Sequence, residues 1–153
     1  MLDEVLGLPA HPLVVHFAVV LTPLLVAIAV AYALLPRWRT ATAWAVVALS
    51  LAAPAAVFAA WQSGQSLKAA RFATAGGELG RRIDAHESYA VPLLFSAAGL
   101  GLVSLALVYA SRGDRFGKAG TAVLAALTVV AAVVTAYQVF LAGDSGARAV
   151  WAL

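Results

Sequence analysis

Cysteine is absent from the 153-residue sequence, and charged residues are scarce. The lack of cysteine excludes disulfide bonds, thiolate metal sites, iron–sulfur clusters and covalent haem attachment through a Cys-x-x-Cys-His motif. Charged residues make up only 11% of the chain and hydrophobic residues 63%, whereas about 25% of the residues of a soluble domain are charged. Such a chain could not cover its surface with polar groups, so the composition predicts an integral membrane protein.

Charge is missing altogether from four long apolar segments. They lie at about residues 13–35, 41–61, 89–110 and 119–142 and contain no Asp, Glu, Lys or Arg. At about 1.5 Å per residue, each is long enough to cross a hydrocarbon core of about 30 Å as a helix. The first segment lacks the basic start of a signal peptide, so we count it as a span. We predict an all-α fold, an integral membrane four-helix bundle, as a single domain over residues 1–153.

Features that the sequence lacks argue against several functional classes. No span carries an ionisable residue at its centre, which argues against a transporter that works alone. The net charge of +3 is small and scattered, which argues against nucleic acid as a partner. No nucleophile–base pair, phosphate-binding loop or zinc-protease motif is present, so the question whether the protein is an enzyme stays open.

The polar stretch at residues 62–88 separates the second and third spans. Ser63 to Ala75 contains apolar residues with two basic ones between them, which predicts a short interfacial helix that ends at Gly76 and Gly77. The sequence "DAHE" that follows predicts a capping box for the third span, with Asp84 as the N-cap and Glu87 at the third helical position.

Small side chains recur at a spacing of four residues in the spans, which predicts close contacts between helices. The predicted contact positions are Ala48, Ala52, Ala56 and Ala60 in the second span, Ala97 and Gly101 in the third, and Thr128, Ala132 and Ala136 in the fourth.

The basic residues predict an orientation. Five of them lie in the two short loops opposite the termini, and the other five lie on the side of the termini with six of the seven acids. Short loops rich in Lys and Arg usually face the cytoplasm. We therefore predict a protein of the bacterial cytoplasmic membrane with both termini extracytoplasmic.

All three histidines are predicted at the end of the bundle that holds the termini. His11 and His16 begin the first span, and His86 heads the third, which starts on the same side. On a helix, His11 and His16 would be roughly 140° apart, too far to share one face. Pro12 is favoured at the first helical position, which would place His11 at the cap, where it could turn toward the bundle.

Three interpretations of these histidines stay open. In the first, they are structural hydrogen-bond partners, for example His16 to Gln138 or Asp144. In the second, His86 and a histidine of the first span ligate a haem b between the helices. In the third, His11, His16 and His86, with Asp144, bind a transition-metal ion such as copper, zinc or iron.

Three stretches resemble the bacterial membrane family known as domain of unknown function 2231. "LPAHPLVVHF" resembles its opening His-Pro-x-x-Val-His-Phe signature, "DAHESYAVPLLF" the histidine that heads its third span, and "AGDSGARAVW" its closing pattern. The chain departs from the family where it has Ala18 instead of proline, and Asp144 where many relatives have another polar residue or histidine. The resemblance implies a four-span membrane protein with a histidine-bearing outer layer, and no established activity.

Together these observations predict a redox-associated membrane protein that holds a haem b or a transition-metal ion through His11, His16 and His86. The alternative is a non-catalytic accessory subunit of a larger membrane complex, in which the alanine stripes dock other helices and the histidines are structural. Predicted partners are the lipid bilayer and either other membrane subunits or further copies of the chain.

Overall fold

The apolar segments form helices because the backbone N–H and C=O groups of a chain in lipid must bond to one another. The computed structural model describes residues 4–5, 7–113 and 115–151. Its five helices are α1 (Ala10–Leu34), α2 (Arg39–Arg71), α3 (Gly77–Ser88), α4 (Ala90–Ser111) and α5 (Gly117–Trp151). Two short strands, β1 (Glu4–Val5) and β2 (Leu8–Pro9), pair antiparallel before α1, and a 3-10 turn at Pro36–Trp38 joins α1 to α2.

Four helical segments are long and apolar enough to cross a membrane, as predicted. They are Ala10–Leu34, Pro36–Arg71, Gly77–Ser111 and Gly117–Trp151, and the third comprises α3 and α4. Large apolar side chains such as Phe17, Phe95 and Phe140 are exposed on the outside of the bundle. This outward-facing apolar surface suits contact with lipid.

The helices form a closed ring in which α1 packs against α2 and α5, and α4 packs against the same two helices. Three apolar clusters follow one another along the bundle, centred on Tyr32, Leu25 and Val57. The cluster around Val57 contains Ala60 and lies nearest to the start of α1, where the first two histidines are found. We call that end the histidine end, and the end with the short loops after Leu34 and Ser111 the loop end.

Gly101 allows α4 to approach the backbone of α2 closely. A Cβ added there would lie 2.7 Å from the carbonyl oxygen of Ser50. Ala97 on the same face of α4 is fully buried. These two positions confirm the predicted contact face of the third span, in agreement with the general use of small residues where membrane helices meet.

The predicted contact stripe of the second span is shifted. Ala48 is exposed, and Ala52 and Ala56 are only partly buried, whereas Ala60 is buried. The buried side of α2 instead follows an alternation of three and four residues and consists of Ala43, Val46, Ser50, Ala53, Val57, Ala60 and Ser63. A strict spacing of four residues drifts around a helix of 3.6 residues per turn, so it leaves the buried face within a few turns. In α5 the drift is similar, because Thr128 and Ala132 are buried but Ala136 is exposed.

The prediction of a separate short helix from Ser63 to Ala75 is wrong. Ser63 belongs to α2, which continues to Arg71, and the separate helix is Gly77–Ser88. The stretch from Trp61 to Arg71 contains one glycine and no proline, so the backbone hydrogen bonds of α2 continue past the end of the apolar run. Gly77 begins α3 with a φ of 63°, a left-handed conformation that favours glycine.

The predicted capping box is wrong. Asp84 and Glu87 lie inside α3, whose N-cap is Gly76 with no side-chain cap bond. Their carboxylates are instead ion-paired with Lys68 of α2. The pattern "DAHE" therefore marks a contact between helices.

Candidate functional site

His11 lies in the first turn of α1, where it faces the end of α2. The prediction that His11 lies at the cap is wrong, because α1 begins at Ala10 with Pro9 as its N-cap. Pro12 is tolerated in the first turn, where a backbone N–H would have no partner within the helix. The Nδ1 atom of His11 is 3.0 Å from the carbonyl oxygen of Ala60 and 3.2 Å from the Oγ of Ser63. The imidazole ring also covers Gly64, where an added Cβ would lie 3.1 Å from Cε1.

His86 lies in the last turn of α3, and it faces the end of α5 in the same way. Its Nδ1 is 3.0 Å from the Oγ of Ser145. It also interacts with the backbone of Ala142. The ring covers Gly146, where an added Cβ would lie 3.0 Å from Cε1. The partly buried His86 is thus held by α5 as His11 is held by α2.

The hydrogen bonds determine which ring nitrogen carries the proton in the neutral form. A carbonyl oxygen can only accept, so Nδ1–H of His11 donates to Ala60. The hydroxyl of Ser145 donates to a carbonyl of its own helix at 3.0 Å, so it accepts from Nδ1–H of His86. Both rings therefore keep the lone pair on Nε2. Neither Nε2 is hydrogen-bonded to the residues that the structure describes.

The two histidine environments repeat a short sequence pattern. Both histidines follow an alanine, in Ala10–His11 and Ala85–His86, and both face an Ala-x-x-Ser-Gly segment, at residues 60–64 and 142–146. In each segment the serine hydroxyl donates to the alanine carbonyl at 3.0 Å. Since α1 packs on α2 as α4 packs on α5, the two halves of the bundle present equivalent atoms to the histidine end.

The two imidazoles lie at the same end of the bundle. They lie close enough for a charge on His11 to act on His86. One helical turn before Ala142, the buried Oε1 of Gln138 has no hydrogen-bond partner among the described residues. The histidine end therefore offers two imidazole nitrogens and one buried amide oxygen that bind nothing within the described part of the chain.

A polar network fixes α3, and with it His86, against α2. Lys68 donates to Asp84 at 2.8 Å and also to Glu87. Gln65 donates to the other oxygen of Glu87 at 2.6 Å. These contacts hold the turn of α3 that carries His86 beside the turn of α2 that follows Gly64.

The other predicted site residues bond to groups other than these two imidazoles. His16 is exposed, and its Nδ1 donates to the carbonyl of Pro12 in its own helix. Asp144 is ion-paired with Arg148, one turn further along α5, at 2.8 Å. Within residues 4–5, 7–113 and 115–151 no three His, Cys, Asp or Glu residues are grouped so that they could hold a metal ion.

Sequence reasoning did not single out the two Ser-Gly pairs, Ser63–Gly64 and Ser145–Gly146. The repeated Ala-x-x-Ser-Gly pattern could have identified these pairs. Its two copies stand at the ends of the second and fourth apolar runs, on the side where the histidines are predicted. Only glycine leaves room for a ring packed directly on a helix backbone, and only a small hydroxyl reaches both the ring and the carbonyl one turn before it.

No curated protein and no solved structure matches the chain. The family model described as "Predicted membrane protein (DUF2231)" matches residues 7–153, which include both histidines of the pair and both Ser-Gly pairs. This four-span membrane protein therefore belongs to the family of domain of unknown function 2231.

Proposed function

We propose that the protein is redox-associated and holds one b-type haem through His11 and His86. The observation that carries the proposal is the matched pair of imidazoles, each with Nδ1–H bonded to a fixed oxygen and Nε2 available. Metal-bound histidines commonly have this arrangement, because a hydrogen bond from one ring nitrogen sets the tautomer and orientation that the other needs as a ligand.

The number of available ligands favours haem over a bare ion. A structural zinc site typically takes four protein ligands, and no group of three candidate ligands occurs in the described part of the chain. A porphyrin supplies the equatorial nitrogens itself, so two histidines suffice as axial ligands. A bare transition ion on His11, His16, His86 and Asp144 would require the last of these to leave Arg148 and His16 to turn from the surface.

The chain's own residues would have separate parts in this function. His11 and His86 would hold the haem through Nε2, Ser63 and Ser145 would orient the rings, and the network around Lys68 would hold α3 in place. When bound, the haem would supply one-electron transfer. Three histidines suffice for one haem with two histidine ligands, so a single chain would not carry electrons across the bilayer through two haems.

The absorption spectrum of the detergent-purified full chain tests this function. We expect a Soret band that shifts, and sharp visible bands that appear, when dithionite reduces the protein. We also expect one haem per chain, and no change on addition of carbon monoxide, because His11 and His86 would both hold the iron. The control is a known b-type cytochrome expressed in parallel, which establishes that haem was available to the cells.

A colourless protein beside a haem-loaded control would overturn the proposal. Stoichiometric copper, zinc or iron without haem would then point to the bare-ion site. A protein free of haem and metal that co-purifies with a larger membrane complex would point to the accessory subunit, in which the hydrogen bonds of the two histidines only join helices.

We further infer that the protein lies in the bacterial cytoplasmic membrane with the histidine end outside the cytoplasm. The support is the charge of the loop end, where five basic residues lie in or beside two short connections: Arg37, Arg39, Arg112, Arg115 and Lys118. We expect alkaline phosphatase fused after Leu153 to be active and a green fluorescent protein fused at the same place to remain dark. The reverse pattern would overturn the orientation, and fusions within the loop after Ser111 provide the matched control.

A further inference from the structure

An open groove of about 600 Å³ lies at the loop end of the bundle, far from the histidines. It is bounded by the end of α1, the end of α4 and the beginning of α5. Its walls are mostly small and apolar and include Ala122, Ala125 and Val129. Its rim carries the cationic side chains of Arg39 and Lys118.

The wall that α5 contributes follows one side of the helix. Lys118, Ala122, Ala125 and Val129 recur at three or four residues, so they share a face that extends roughly 16 Å along the axis. That length matches one leaflet of the hydrocarbon core, about 15 Å. The single methyl groups of the two alanines leave an apolar furrow along this side of α5.

The cations at the rim are held in different ways. Arg39 is partly buried; its Nε donates to the carbonyl of Tyr32 at 3.0 Å and its Nη2 to that of Ala33 at 3.1 Å. A guanidinium has five N–H donors, so these bonds fix the group and leave donors available. Lys118 is exposed and has no ion pair with the described residues. A smaller adjoining hollow of about 170 Å³ shares Arg39 and adds Arg112.

The charged residues that line the groove and the adjoining hollow, among those described, are all basic. No acidic residue lines the groove or the adjoining hollow in the part of the chain that the structure describes. A positive rim above an apolar furrow is complementary to a molecule with an anionic head and a hydrocarbon tail. Basic pockets between transmembrane helices are known to bind anionic lipid head groups.

We propose that this groove binds an anionic phospholipid. The phosphate lies between Arg39 and Lys118, and one acyl chain follows the alanine side of α5. The site is independent of the histidine pair, because it lies at the opposite end of the bundle and uses none of the same residues.

The test is native mass spectrometry of the detergent-purified full chain with added phosphatidylglycerol or phosphatidylcholine. We expect the anionic lipid to bind in preference to the zwitterionic one, and inorganic phosphate alone not to compete. Lys118→Gln should weaken phosphatidylglycerol binding roughly fivefold, as expected for one cation near a head group. Ala122→Phe, which fills the furrow at an exposed position, should weaken it without removing a charge.

Arg115→Gln is the matched control. It removes a charge at the same end, but Arg115 contacts the ring of Tyr109 instead of the groove. Equal binding of both lipids would overturn the proposal, and so would an Arg115→Gln effect as large as that of Lys118→Gln. Displacement of the lipid by inorganic phosphate alone would reassign the site to a small anion and would also overturn it.

Discussion

Replacement of His86 by alanine is expected to abolish haem binding while the protein still inserts into the membrane. In the proposed function two histidines would hold the haem, and His86 of α3 would be one of them. Its ring is only partly buried and packs on Gly146, so its loss leaves the apolar core of the bundle intact. Haem content per chain, measured by the reduced pyridine spectrum, should fall to background, and the yield in the membrane fraction should remain at the parental level.

His11→Ala should have the same result, because the second ligand is equally necessary. The matched control is His16→Ala, which removes an imidazole from the same helix. His16 is exposed and bonds only within α1, so that variant should keep its haem. Full retention of haem in His86→Ala would contradict the assignment of the ligands, and loss of haem in His16→Ala would favour the site that includes His16.

Replacement of Gly101 by alanine is expected to lower the stability of the bundle. The added Cβ would lie 2.7 Å from the carbonyl oxygen of Ser50, and a backbone atom cannot move aside as a flexible side chain can. Overpacking of a well-packed contact costs about 1–3 kcal/mol. We therefore expect a lower melting temperature in detergent, measured by the fluorescence of the tryptophans.

Gly99→Ala provides the control for this substitution. Gly99 lies in the same helix two residues earlier, but a Cβ there would meet nothing within 4 Å. Alanine is favoured over glycine in a helix by roughly 1 kcal/mol, so this variant should melt at the parental temperature or above it. Equal melting temperatures for the two variants would show that α2 and α4 do not approach as closely as described.

The sequence was sufficient to predict the class of the fold. Four apolar runs without charge, each long enough for a bilayer, leave few alternatives, because lipid offers no partner to an unbonded backbone. It also predicted the contact face of α4, since Gly101 and Ala97 are small residues at the spacing of one turn. These features depend on local periodicity and composition, which a sequence displays directly.

The helix boundaries in the polar region were beyond sequence reasoning. Ser63 to Ala75 and the pattern Asp84–Glu87 satisfy local rules for a surface helix and for a capping box. In the folded protein, contacts between helices override these local preferences, because Lys68 of α2 forms ion pairs with both Asp84 and Glu87 of α3. Residues so far apart in the chain do not reveal their pairing in a single sequence.

The sequence by itself determined that three histidines lie at one end of a four-helix membrane bundle, because the direction of each span follows from the count of spans before it. Only the tertiary structure decided that His11 and His86 each bond to a neighbouring helix and that His16 is exposed. The five residues between the two histidines of α1 rotate them roughly 140° apart, so only one can face the neighbouring helix. His11 is the one that faces α2, because Ser63 gives its ring a hydrogen-bond partner and Gly64 has no side chain to block it.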